Sequence, residues 1–201
     1  MSQQLQTEWF VTDGKWNAVI AWTITGILVL AAVNNLLDFR LVDLLLAGTA
    51  VVLASIPAVV SRSWTRTVPW PLVFIAALPI LVGSLDPTFF KLAVIGAGVA
   101  ALGMLLVVDL QLTTAVRMTP GFAVWFVVMM TLAFAGAWAV SSAFEAAYFG
   151  GTFVQTNTEL MNIFTAALVG GLVGGLAFRL YFRRELRRQA RSTPGAEGWT
   201  A

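Results

Sequence analysis

The sequence predicts an all-α fold, a polytopic transmembrane helix bundle of six spans, and three observations carry that prediction. Of the 201 residues 59% are hydrophobic, and mean hydropathy is +0.84. A soluble domain uses roughly 45–50% apolar residues and cannot hide this much apolar surface. Charged residues are only 11% of the chain, less than half the usual share of about 25%. The apolar residues also gather in runs long enough to cross a hydrocarbon layer, which needs about 20 residues of helix.

The six runs are Trp16 to Leu37, Leu41 to Val60, Val68 to Leu85, Phe89 to Leu110, Phe122 to Phe149 and Leu160 to Phe182. Polar or helix-breaking joints separate them: Asp38 to Arg40, Ser61 to Thr67, Asp86-Pro87, the segment through Arg117, Pro120 and Gly121, and Gly150 to Thr158. The third run is the weakest, because Pro69 and Pro71 open it and Pro79 interrupts it. A proline removes a backbone donor and kinks a helix. The alternative is therefore five spans plus a re-entrant third segment, whose irregular backbone would have to be buried in protein. The fifth run is long enough to tilt or protrude into the interface.

The chain divides into an interfacial N-terminal segment at residues 1–15, a transmembrane domain at 16–182, and an Arg-rich helix end with a disordered tail at 183–201. The first fifteen residues lack the charged and apolar regions of a signal peptide. Trp9, Phe10 and Trp16, with Trp64 and Trp70, are expected as anchors at headgroup level. With both termini on the cytoplasmic side, ten of the twelve Lys and Arg residues fall inside and only Arg40 and Lys91 outside. That bias sets the orientation, and it implies an integral plasma membrane protein. Ten Arg against two Lys suggests a GC-rich, prokaryotic genome.

Small residues four apart mark helix contacts in lipid. The last span carries two such rows, Ala166, Gly170, Gly174 and Ala167, Gly171, Gly175. The fifth carries Ala133, Ala137 and Ser141, and the fourth a looser set from Gly96 to Gly103. These three helices are expected to form a close-packed group.

Ionisable side chains inside a membrane are costly and point to function. Glu145 continues the Ala133, Ala137, Ser141 row by one more step of four and is expected on the packing face. Glu159 and Asn162 open the last span at the same outer level, and Asn34 and Asn35 end the first. These five residues are the candidate ligand site, a polar outer-leaflet cavity for a lipid headgroup, an ion or a small polar solute. The plainer alternative has the asparagines bonding a neighbouring helix. Asp38, Arg40, Asp43 and Lys91 read as interfacial charges in water, and Asp109 as a structural partner of Arg117 or Arg179.

The absence of Cys and His removes disulfides, thiolate nucleophiles, Cys/His metal sites and the usual general base. No Walker loop or dinucleotide fingerprint is present. The sequence therefore points away from an enzyme, and no cofactor, metal or nucleic-acid partner is expected. The expected partners are the bilayer, anionic lipid at the Arg-rich tail, and a second copy or another membrane subunit.

The run from Ser141 to Gly175 resembles the C-terminal helix pair of the VanZ-like and YjdF-like integral membrane proteins. Glu145, Gly150 with Gly151, Glu159, and Gly170 with Gly174 follow the order of acids, loop glycines and helix glycines in those families. The run departs from them at Tyr148, Ile163 and Ala167. The resemblance covers about 35 residues and implies the outer acidic pair as the site, with no reaction attached. Two functions follow: binding or transport of a lipid or small polar solute around Glu145 and Glu159, or a structural or accessory subunit of a membrane complex.

Overall fold

A computed structural model describes residues 11–82, 89–114, 119–150 and 156–192. It contains six helices: α1 (Lys15–Leu37), α2 (Leu41–Ser61), α3 (Trp70–Val82), α4 (Phe89–Thr113), α5 (Pro120–Phe149) and α6 (Asn157–Ser192). Among the described residues five are long and apolar enough to cross a membrane; the exception is α3. Its 13 described residues rise about 20 Å, against a hydrocarbon layer of roughly 30 Å. The helix opens at Trp70 rather than at Val68, because Thr67 is taken up in a strand and Pro71 lies in the first turn. Residues 83–85 of the expected third span lie outside the described residues, as do residues 1–10, Asp86-Pro87, Arg117 and residues 193–201.

One element breaks the all-α expectation. Thr12–Asp13 (β1) and Arg66–Thr67 (β2) form a two-residue antiparallel ribbon with Thr12 opposite Thr67 and Asp13 opposite Arg66. The ribbon ties the start of α1 to the segment leaving α2, and it marks one end of the bundle. The α1–α2 turn, with Phe39 in a left-handed conformation (φ 54°), marks the other.

The helix ends follow from local chemistry. Thr119 caps α5 by accepting the Phe122 N–H at 3.3 Å, and Pro120 occupies the first turn, where a missing N–H is harmless. At the other end Gly150 adopts φ 74°, and its N–H bonds the Glu145 carbonyl. The end of α2 uses Arg62 at φ 50°, with the Ser63 N–H reaching the Ala58 carbonyl at 3.1 Å.

The centre of the bundle is α4. In its apolar window 67% of residues are buried within the chain, against 17–33% in the other four long helices. It packs against α2, α3, α5 and α6. Leu102, Leu105, Val107 and Val108 form the core with Leu53 and Ala54 of α2, Val73, Ala76 and Ala77 of α3, and Ala123 and Val127 of α5.

Glycines set the closest approaches. A Cβ on Gly170 would stand 2.6 Å from the Gly96 carbonyl, and one on Gly174 2.8 Å from the Ala100 Cβ. Both partners advance together along the chain, so α4 and α6 run parallel. On the adjoining face of α6, Gly171 meets Thr131 and Val128, and a Cβ on Gly175 would lie 2.9 Å from Val124 Cγ1. Here the order is reversed, so α5 runs antiparallel to α6. The two glycine rows of α6 therefore face two different helices. Gly98 provides the same clearance on the other side of α4, where a Cβ would collide with the Pro79 ring of α3.

The Ala133, Ala137, Ser141 row requires a correction. Ala133 and Ala137 are exposed, and the contact face of α5 consists of Ala123, Val127, Val128, Thr131 and Ala135. At about 100° per residue a row of fours drifts about 40° per step. Over the three steps from Ala133 to Glu145 it turns by about 120°, from the outside of the bundle to its inner side.

Candidate functional site

The polar groups at the turn end come from α1, α2, α5 and α6. Glu145 is half-buried near the end of α5, and its Oε2 accepts the backbone N–H of Val42 at 3.2 Å. Val42 is the second residue of α2, where N–H groups have no partner within the helix. Asp43 stands in the same first turn and pairs with Arg40. A carboxylate in that position satisfies a free donor and meets the positive end of the helix dipole. Stacking of Phe39 on Phe149, with centroids 6.0 Å apart, holds the α1–α2 turn against α5 at the same level.

Glu159 is exposed and has a different role. Its backbone N–H bonds the Thr156 hydroxyl at 3.2 Å, and the Leu160 N–H bonds the Thr156 carbonyl at 3.2 Å. Thr156 thus caps α6, and Glu159 is the third residue of the helix. Thr156-Asn157-Thr158-Glu159 is the spacing of a capping box, a signal legible in the sequence that marks this acid as part of a helix start.

Asn162 is exposed. Asn34 is also exposed and donates to Asp38 Oδ2 at 3.0 Å, one turn along its own helix rather than to a neighbouring one. Asn35 is buried, and its carbonyl accepts the Arg40 N–H at 2.8 Å across the turn. The five candidate residues are therefore spread over three helices. Among the described residues no hydrogen bond joins any two of them, and no group of three acids has the geometry to hold a metal ion. Lys91 lies in the first turn of α4.

At the ribbon end a polar lock is centred on Asn17, which the sequence reading passed over. Its Nδ2 donates to Thr67 Oγ1 at 2.8 Å and to the Val68 carbonyl at 3.0 Å, and its Oδ1 accepts the Trp70 N–H at 3.0 Å. One amide side chain thus joins the first turn of α1, β2 and the start of α3. Asp13 accepts the Thr65 hydroxyl at 2.8 Å and lies 3.9 Å from Arg66. The Trp22 indole donates to the Trp64 carbonyl at 3.0 Å, and the two rings meet at 5.2 Å. Trp16, Trp64 and Trp70 are exposed at this end.

Among the described residues two polar side chains are buried without a partner. Asp109 is 2% exposed and Gln111 7% exposed, and neither Asp109 oxygen nor either polar atom of the Gln111 amide has a hydrogen-bond partner among the described residues. The expected partner Arg179 is exposed and makes no ion pair with Asp109 among the described residues; Arg117 lies outside them.

Residues 5–67 match the model of a domain of unknown function, DUF8268. The match does not overlap the run from Ser141 to Gly175. Its described part, residues 11–67, is the β1–α1–α2–β2 unit, and it ends on Thr67, the residue paired with Thr12. No curated protein and no solved structure matches the chain.

Proposed function

We propose that this protein is a structural or accessory subunit of a membrane assembly, docking a partner helix on the outward face of α5. The observation that carries this reading is the make-up of that face. Along one stripe α5 exposes Phe122, Trp125 and Met129, then Ala133 and Ala137 with the half-buried Gly136 between them, then Val140 and Phe144. The middle of the stripe is a notch: no atom lies within 4 Å of a Cβ placed on Gly136. Small residues on a membrane helix let another backbone approach closely, and association in lipid depends on such packing. The glycines that close this chain's own interior are on α4 and α6, so the α5 notch is left for another molecule.

The roles of the two outer acids favour this reading over a ligand cavity. Glu145 serves the start of α2 and Glu159 belongs to the start of α6. The proposed setting is a prokaryotic plasma membrane with both termini in the cytoplasm, supported by the ten-to-two distribution of Lys and Arg. Exposed Trp16, Trp64 and Trp70 beside Lys15, Arg62 and Arg66 fit the headgroup level of that side.

Gentle detergent extraction followed by mass measurement tests the proposal. The expected species exceeds the 21.6 kDa of one chain, and Ala137→Leu, which fills the notch without touching the interior, reduces it to a single chain. A lone monomer at every detergent concentration contradicts the reading.

A further inference from the structure

We propose that Asp109 is a proton-binding site in the bundle interior, taking up and releasing a proton through the ribbon end. Asp109 is buried and unpartnered among the described residues, four residues from the end of the central helix α4. It follows Gly98 by eleven residues, three helical turns, and so lies within about 20° of it on the helix. Gly98 faces Ile75 and Pro79 of α3, which places Asp109 on the α3 side of α4. Gln111 lies two residues on, on the α6 side with Ala100 and Met104. Every other carboxylate described in the protein has an evident use or water: Asp13, Asp38 and Asp43 bond neighbouring side chains, Glu145 caps a helix, and Glu159 is exposed.

Among the described residues no cation pairs with Asp109: Lys15 and Arg66 stand at the ribbon end without an ion pair to it, and Arg117, eight residues on, lies outside the described residues. Helix α3 carries no ionisable side chain; α2 has Asp43 at the far end and the exposed Arg62 at its C-terminus; α5 has Glu145 and the exposed Tyr148, both at the far end. Helix α6 contributes Glu159 at the far end and the exposed Arg179, and its residues from Arg183 onward have side chains outside the described set. A neutral acid and a carboxylate make opposite demands on such a place. The acid fits a closed apolar interior, whereas the carboxylate requires water or a cation beside it. Loss of the proton, –COOH to –COO⁻ with H⁺ passing to water at the ribbon end, therefore favours separation of α3 from α4. The proline-bearing α3, with Pro79 inside the helix, is the neighbour most able to yield.

Infrared difference spectroscopy on the intact chain in lipid tests this. The wild-type protein shows a protonated-carboxyl stretching band that is lost as pH is raised and recovered when it is lowered. Asp109→Asn removes that band, and Asp109→Glu, which keeps the carboxyl, moves it to a new frequency. Glu145→Gln and Glu159→Gln leave it in place. A spectrum without a band assignable to Asp109, or a band that does not answer to pH, overturns the proposal. Should Asp109→Asn fail to fold, the frequency change in Asp109→Glu decides, and an unmoved band is a negative result.

Discussion

The Glu145 carboxylate receives the backbone N–H of Val42 at 3.2 Å, so a side chain near the end of α5 caps the first turn of α2. The two residues are 103 positions apart, and the bond ties the N-terminal hairpin to the second half of the chain. Capping interactions contribute about 0.5–2 kcal/mol. Glu145→Ala is expected to lower stability by about 1 kcal/mol, read as a lower midpoint of thermal unfolding in detergent. Glu145→Gln, which keeps a neutral acceptor, is expected to lose less. A fully stable Glu145→Ala variant would mean that the α2 terminus is satisfied without this side chain.

A glycine substitution tests the α4–α6 contact. Gly170→Ala places a methyl group 2.6 Å from the Gly96 backbone, which cannot give way as a side chain could. A loss of about 1–3 kcal/mol is expected, as for other overpacked interiors. Gly48→Ala is the control, because nothing lies within 4 Å of its Cβ. Alanine favours a helix over glycine by about 1 kcal/mol, so this variant is expected to be neutral or stabilised. Parallel unfolding curves in one detergent check both.

Asn17 joins three elements, and Asn17→Ala leaves the Trp70 N–H, the Thr67 hydroxyl and the Val68 carbonyl without it. The cost expected is about 1–3 kcal/mol for exposing or stranding these groups. The effect is local to the ribbon end, where hydrogen exchange at the Trp70 N–H is expected to accelerate while the core of α4 stays protected. Uniform acceleration along the chain would place Asn17 in global rather than local stability.

At the start of α6, Thr156→Ala removes the hydroxyl that accepts the Glu159 N–H and is expected to cost about 1 kcal/mol. Glu159→Gln preserves the capping-box pattern and is expected to be close to neutral. A large loss on Glu159→Gln with no effect of Thr156→Ala would return Glu159 to the list of functional acids.

Much of this fold was legible because helix length and apolar run length are set by the same bilayer dimension. Five of the six runs correspond to helices long and apolar enough to cross, and the weak one, weakened by Pro69, Pro71 and Pro79, is α3, which falls short of that length among the described residues. The two glycine rows of α6 were visible at their spacing of four; which helix each row meets was not, since that depends on how three helices are arranged. The Glu145 role was hidden for a different reason. Its partner is a backbone N–H, which has no sequence signature, and the drift of the Ala133 row turned Glu145 to a face that Ala133 does not share. Asn17 was overlooked because an asparagine beside Trp16 at a helix start has many local uses, and its partners are 50 to 53 residues away. The Thr156 to Glu159 capping box, by contrast, is legible in the sequence from its residue types and spacing alone.

The outward notch of α5 is proposed to meet another membrane helix, and site-directed crosslinking in native membranes probes that contact. The chain contains no cysteine, so Ala137→Cys introduces a single thiol without background. A short crosslinker that alkylates the thiol at one end and inserts into any neighbouring C–H bond on illumination at the other is expected to convert this variant to a species of higher mass, and a cysteine at Val52 on the exposed side of α2 is expected to stay uncoupled. A chain that remains at its single mass from Ala137→Cys, or that couples equally well from both positions, would mean that the α5 face faces lipid rather than a partner helix.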